Sequence, residues 1–363
     1  MVIALGAILV AAGVGIYFGQ SDSTPTSPSS AEEAPASPNS TPAANPPPTV
    51  PDQSPSSLLS RMFGRLRAGG MTAGELDAFR RAMLAAPPEQ AIAAIVQFLA
   101  TGQDAVTGET FALGEGGLAG APTYRVLLLD LLGRICRKTG TIEAASVARN
   151  LLQTKTSADE WAVALRNIGW VTPQDRAFIT EKTRELIRHT PWRQQPSGGY
   201  REAFDLIVYT GDVTLIPDLA EMLRAEDSNL ETSAAVALDR LAESSPLQAM
   251  NFLNQNRNEL AEKPFLRADY FSKADLSQPA QRVAVETYLA RPDVDVREKS
   301  KMLAVLASPG SFASETLITQ PPPDEFPPQR IAGLRQSVND WLATNRFPAL
   351  VPPLRQLQGR IAK

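Results

Sequence analysis

From Leu58 onward the apolar residues return every three or four positions, and strand-like alternation is scarce. That period predicts amphipathic helices, each with one stripe to bury. The clearest case is Leu215 to Leu241, "LIPDLAEMLRAEDSNLETSAAVALDRL". Leu215, Ile216, Leu219, Met222 and Leu223 make one stripe, and Leu230, Ala234, Ala237, Leu238 and Leu241 make the next. The polar run between them is just long enough to turn the chain back. Helix starts are predicted at Thr72-x-x-Glu75, Ser157-x-x-Glu160 and Ser228-x-x-Glu231, where a hydroxyl can cap a free N–H while the glutamate reaches back. Pro88, Pro173, Pro246 and Pro279 fall at starts or between runs, where the missing N–H does no harm. Gly102 to Pro122, and the Pro-rich "QPPPDEFPPQ" before the last helices, read as loops.

Neither helix of a pair can bury its stripe alone, so each pair needs neighbours on both sides. At this point the residues resemble the HEAT-repeat family. Its unit opens Leu-Ile-Pro-x-Leu, turns at an aspartate and closes Ala-Ala-x-Ala-Leu-x-x-Leu. Leu215, Ile216, Pro217 and Leu219 match the opening, Leu223 and Asp227 the middle, and Ala234, Ala235, Ala237, Leu238 and Leu241 the close. Glu231 departs from the pattern by standing where the family has a base, so the family's ladder between that base and neighbouring turn aspartates should be broken here. A partial second copy, "YLARPDVDVREKSKMLAVL" (289–306 with the preceding tyrosine), carries Pro292, Asp293, Val296 and Arg297 in the family's turn and second-helix start. The resemblance implies an all-α fold, an α-solenoid of antiparallel helix pairs over 58–363. At about 40 residues per pair, that length holds about six to eight pairs. It also implies a surface for macromolecular partners, and no reaction.

The N-terminal segment follows a different pattern. "MVIALGAILVAAGVGIYFG" has no charged side chain from Val2 to Gly19, a run about 27 Å long as a helix, at the short end of a bilayer span. The expectation is a transmembrane or signal-anchor helix over 1–19, a cleaved signal being the alternative. Ala7, Ala11, Gly15 and Gly19 recur every four residues and offer a homodimer contact between anchor helices. Residues 20–57 hold ten prolines and almost no large apolar side chain, the composition of a disordered linker. No Lys or Arg precedes Arg61, so nothing there resists translocation. The protein is therefore expected in the inner membrane as a single-pass chain with its body in the periplasm, or secreted or periplasmic after cleavage.

Charge narrows the partners. All 35 Lys and Arg lie at or after Arg61, while four of the 39 acids (Asp22, Glu32, Glu33, Asp52) precede Leu58. The body is electrically balanced, which disfavours bulk binding to nucleic acid. The single cysteine, Cys136, follows Leu128, Leu131, Leu132 and Ile135 at helical spacing and reads as a buried packing thiol. It excludes a disulfide within the chain and any multi-cysteine metal site.

Little else in the sequence looks like chemistry. The single histidine, His189, sits at a helix end beside Arg188, where a cation suits the dipole. "GEGGLAG" (114–120) loosely fits a dinucleotide loop, but it lacks a preceding strand and Pro122 interrupts the helix that should follow. No cofactor or metal is expected. One surface stands out: residues 176 to 201 carry six Lys/Arg against two Glu, with aromatics nearby. Arg188, Trp192, Arg193 and Tyr200 form a candidate partner-binding patch, since arginine and aromatics dominate binding hot spots. The competing account is a solvated helix face with the aromatics packed inward.

The expectation is a membrane-tethered helical-repeat scaffold with a protein or peptide partner outside the cytoplasm, and not an enzyme. The alternatives are a solenoid enzyme or regulatory subunit with lyase-type or acid–base chemistry on a concave acidic face, and a nucleic-acid-binding solenoid.

Overall fold

Helix follows helix from Pro55 to Ile361 in the computed structural model, which describes residues 53–308, 316–320 and 325–362. The expected membrane helix over 1–19, its dimer contact and most of the expected linker lie outside the described residues. Among the described residues no helix is long and apolar enough to cross a membrane. The first elements are α1 (Pro55–Ala68), α2 (Ala73–Ala85), α3 (Pro88–Ala100), a hairpin of β1 (Ala112–Gly114) and β2 (Gly117–Gly120), α4 (Tyr124–Thr139), α5 (Glu143–Leu151) and α6 (Ala158–Val171). The middle holds α7 (Arg176–Ile187), α8 (Thr190–Gln194), α9 (Gly198–Glu202), α10 (Asp205–Thr210), α11 (Ile216–Met222) and α12 (Ser228–Ser244). The last are α13 (Pro246–Gln255), α14 (Pro264–Phe271), α15 (Pro279–Ala290), α16 (Val296–Val305), α17 (Pro328–Ala343) and α18 (Val351–Ile361). The described body is all-α apart from the one hairpin.

Local chemistry sets these boundaries. Proline occupies the first helical position of α1, α3, α13, α14, α15 and α17, where its fixed φ suits the helix. Gly69, Gly140 and Gly211 close α1, α4 and α10 in the left-handed conformation. The three sequence caps behave differently from one another. Glu75 reaches back to the Thr72 N–H at 2.9 Å. Ser157 caps α6 through the Glu160 N–H at 3.3 Å, but the Glu160 carboxylate turns away to Arg125 at 2.8 Å. Ser228 is not a cap at all. Asp227 takes that role, accepting from the Asn229 and Leu230 N–H groups at 2.9 and 3.3 Å, because a carboxylate one residue earlier meets both free donors.

Packing follows the stripes. All ten apolar residues read from 215–241 are buried, Leu219 and Leu238 at 0% and 2% exposure. Each such leucine contributes about 1.5–3 kcal/mol by leaving water. Many helices touch a sequence neighbour and, repeatedly, the next helix but one: α4 meets α6, and α10, α12, α14, α16 and α18 follow in one row, while α6 reaches α9. Beside that row α13 packs on α15. The core forms two clusters, residues 59–163 and 145–361, which share α5 and α6. Cys136 is fully buried in the first, and burial pushes its thiol up, which keeps it an inert packing group.

The segment expected as a plain loop before α4 is partly ordered as strand. β1 and β2 pair antiparallel, Leu113 opposite Leu118, and Val106 bridges Thr123. Gly117 has no room for a side chain, since a Cβ there would stand 2.6 Å from Arg134 Cδ. The hairpin is pinned to α4 by Asp130, buried, which accepts from the Leu118 N–H at 3.0 Å and pairs with Arg166 of α6 at 2.8 Å. "GEGGLAG" is thus a hairpin tip over a helix, not a phosphate loop.

Candidate functional site

The expected patch does not assemble as a surface. Tyr200, in α9, is 0% exposed and its hydroxyl donates to the Ile187 carbonyl at 2.8 Å. Burial raises its phenol well above the ordinary value, so it is a core residue. Trp192 is half-buried, edge-on to Trp161 at 5.4 Å and against His189 at 4.1 Å. Arg188 and Arg193 do reach the outside, but each is paired with an acid of α11: Arg188 with Asp218 at 3.0 Å and Arg193 with Glu221 at 2.8 Å. The basic count of 176–201 is therefore largely neutralised across helices, an offset that the local sequence hides. His189 follows α7 at the helix end, as the sequence predicts, and burial and then the nearby Lys155 hold its imidazole below the usual range.

A different constellation does come together on the α10–α12 row. Asp205 opens α10 and Arg240 lies in α12; both are buried, and they pair at 2.8 Å. Across this pair runs Thr316–Gln320, a stretch without regular secondary structure. The Ile318 and Thr319 N–H groups both donate to Asp205 Oδ2, at 2.7 and 2.9 Å, and the Thr319 hydroxyl donates to the other carboxylate oxygen. Arg240 completes the grip with N–H bonds to the Thr319 hydroxyl and, at 3.5 Å, the Gln320 carbonyl. Leu317 is buried in the larger core. Ile318 lies over Gly169 of α6, where a Cβ would stand 2.4 Å from its Cδ1. One carboxylate, 113 and 114 residues away in sequence, and one guanidinium, 79 and 80 residues away, thus hold the strap.

The strap fills only part of its trough. Beside Ile318–Gln320 lies a cavity of about 600 Å³ whose walls include Arg176, Tyr209, Glu243, Phe326 and Arg330. Beside Thr316 lies a second hollow of about 200 Å³ that includes Arg201, Glu202 and Thr232. Among the described residues, Arg176 and Arg330 bond carbonyl oxygens, of Tyr209 and Lys273, and stack on Tyr209 and Phe326 rather than meeting a carboxylate. Burial raises Glu243 above the ordinary carboxylate value, and it raises Glu202 likewise, with Asp205 adding repulsion.

Asp205–Arg240 is also the first rung of a ladder. Lys273, just past α14, pairs with Asp239 of α12 at 2.9 Å, and Lys301 of α16 pairs with Asp269 of α14 at 3.6 Å. The first two rungs span 35 and 34 residues. Of the aspartates between helices, Asp227 caps α12 and approaches Arg201 at 4.0 Å, whereas Asp212 pairs with Arg184 at 2.6 Å. The rungs of the row join residues in or beside alternate helices, at the spacing of one helix pair. Among the described residues no group of three or more His, Cys, Asp and Glu is placed to hold a metal ion. Compared with protein-family models, curated proteins and solved structures, the chain matches none.

Proposed function

We propose that the protein is a membrane-tethered α-solenoid of HEAT-like helix pairs that binds a protein or peptide partner outside the cytoplasm. The observation that carries this reading is the strap: the α10–α12 face already holds an irregular polypeptide by its backbone, through Asp205 and Arg240. The repeat architecture is supported by helices that pack on the next but one and by ion pairs at the spacing of one pair. Asp205, Asp239 and Asp269 of this row each face a base, which speaks against these three as free acids for acid–base catalysis. The balanced body speaks against nucleic acid. The tether rests on residues 1–19 and the proline-rich stretch after them.

Crosslinking of the intact protein in its own membranes, followed by mass spectrometry of captured peptides, tests the proposal. Partner peptides joined to the body, with residues 1–57 alone as the control, are the expected result. Capture no greater than with that control would overturn it.

A further inference from the structure

The strap behaves less like a connection than like a guest. It enters the α6–α10–α12 trough with no helix of its own, buries one aliphatic side chain, lays a second over a glycine, and is then read at its backbone. Recognition of this kind depends on few side chains, because most of the bonds go to groups that every peptide carries. Hollows remain on both sides of it, so the trough has room for a longer occupant than the strap.

We propose that this trough is a peptide-binding site for an unstructured segment of a partner protein, of the pattern aliphatic, β-branched, Thr or Ser, with an acidic residue downstream, and that Thr316–Gln320 occupies it in cis until such a segment displaces it. The inference rests on the binding role proposed above and gives that role a location and a ligand class. The aliphatic residue takes the place of Leu317. The β-branched residue takes that of Ile318 over Gly169, where the absent Cβ leaves the space. The hydroxyl residue takes that of Thr319 between Asp205 and Arg240. The acidic preference comes from the larger cavity, where Arg176 and Arg330 satisfy only carbonyl oxygens among the described residues. Glu243 and Glu325 also line that cavity. Burial raises the Glu243 carboxyl against the opposing pull of Lys273 and Arg330, and Glu325 belongs to the chain that follows the strap, where an incoming acidic residue would take its place. Because the cis segment competes, the apparent affinity for a free peptide falls by the fraction of molecules with an open trough.

The test uses the full chain and a fluorescein-labelled synthetic peptide of residues 315–325, ETLITQPPPDE. In one variant, residues 316–320 are replaced by Gly-Ser-Gly-Ser-Gly. Fluorescence anisotropy should show the peptide binding this variant at least about tenfold more tightly than the native chain, given about 1.4 kcal/mol per tenfold. A peptide N-methylated at its Ile318 and Thr319 positions leaves the protein untouched and removes the two donors; it should lose about tenfold or more. Replacing Asp324 and Glu325 of the peptide by Asn and Gln should weaken it severalfold. Equal binding of the plain and N-methylated peptides, or no binding to a variant that keeps its helical circular dichroism, would overturn the proposal. So would a native chain that is dimeric and becomes monomeric on strap replacement, since a second copy would then be the occupant. If the peptide fails while membrane crosslinking still captures a partner elsewhere on the body, only the trough is lost and the binding role stands.

Discussion

Gly169→Ala separates the strap from the helices that hold it. Gly169 lies near the end of α6, and a Cβ built there stands 2.4 Å from Ile318 Cδ1 and an ordinary 3.5 Å from the Tyr209 ring. For α6 itself the substitution is favourable, since alanine exceeds glycine by about 1 kcal/mol in a helix interior. For the strap it is mildly unfavourable: the methyl meets only the far end of Ile318, which can turn toward the cavity it lines, so the off-rotamer cost is about 0.5–1.5 kcal/mol. The helix cannot give way cheaply, whereas the strap has no ladder of its own and can lift. A loss of about 0.5–1.5 kcal/mol raises the lifted population about 2- to 13-fold. Limited proteolysis under native conditions, read by mass spectrometry as cleavage of the Leu317–Ile318 bond, reports that population when opening is fast. Cleavage should rise within that range while the thermal midpoint, followed by circular dichroism, holds or rises. A lower midpoint with no gain in cleavage would refute the reasoning, because the strain would then have entered the helical core.

Three further outcomes follow from the geometry. Gly133→Ala should destabilise the chain by about 1–5 kcal/mol in urea titration, because its Cβ would stand 2.0 Å from Asn167 Oδ1 and displace a side chain that serves the Leu129 carbonyl and Arg166; a more stable variant would contradict this. Tyr200→Phe should cost about 1 kcal/mol and Tyr200→Ala about 3–5 kcal/mol in the same assay, as for a core aromatic rather than a surface contact; neutral substitutions would return Tyr200 to the surface. Burial, then Asp205, raises the Glu202 carboxyl in the folded state, so its contribution is fully present below the unfolded value and is lost as pH rises through the folded one. Glu202→Gln should therefore melt higher than the native protein at pH 7, with the gap closing below about pH 4; a lower melting point at pH 7 would reverse the sign.

How much of this was legible depends on whether a signal is local. The stripes of α11 and α12 were, because a period near 3.6 encodes the buried face directly. Asp227 against Ser228 was a contest between adjacent caps that spacing alone does not decide. The hairpin was hidden because glycine fills the positions whose alternation would announce strand, notably Gly114, Gly117 and Gly120. Tyr200 was misplaced because its hydroxyl partner is the Ile187 carbonyl, thirteen residues away across a helix end. Arg188 and Arg193 look free in sequence, since Asp218 and Glu221 stand about one helix pair further on. Asp205 and Arg240 share that spacing, and a repeat reading that placed helices in register would have brought them together. Nothing local marks Thr316–Gln320, five residues of no period beside a proline run.

The strap is held by its backbone in the folded protein, and hydrogen exchange at the Ile318 and Thr319 amides measures that directly. Their bonds to Asp205 at 2.7 and 2.9 Å predict exchange at least about tenfold slower than in the free peptide, with protection lost in Asp205→Asn while the α14 amides stay protected. Exchange at free-peptide rates in the native chain would contradict it.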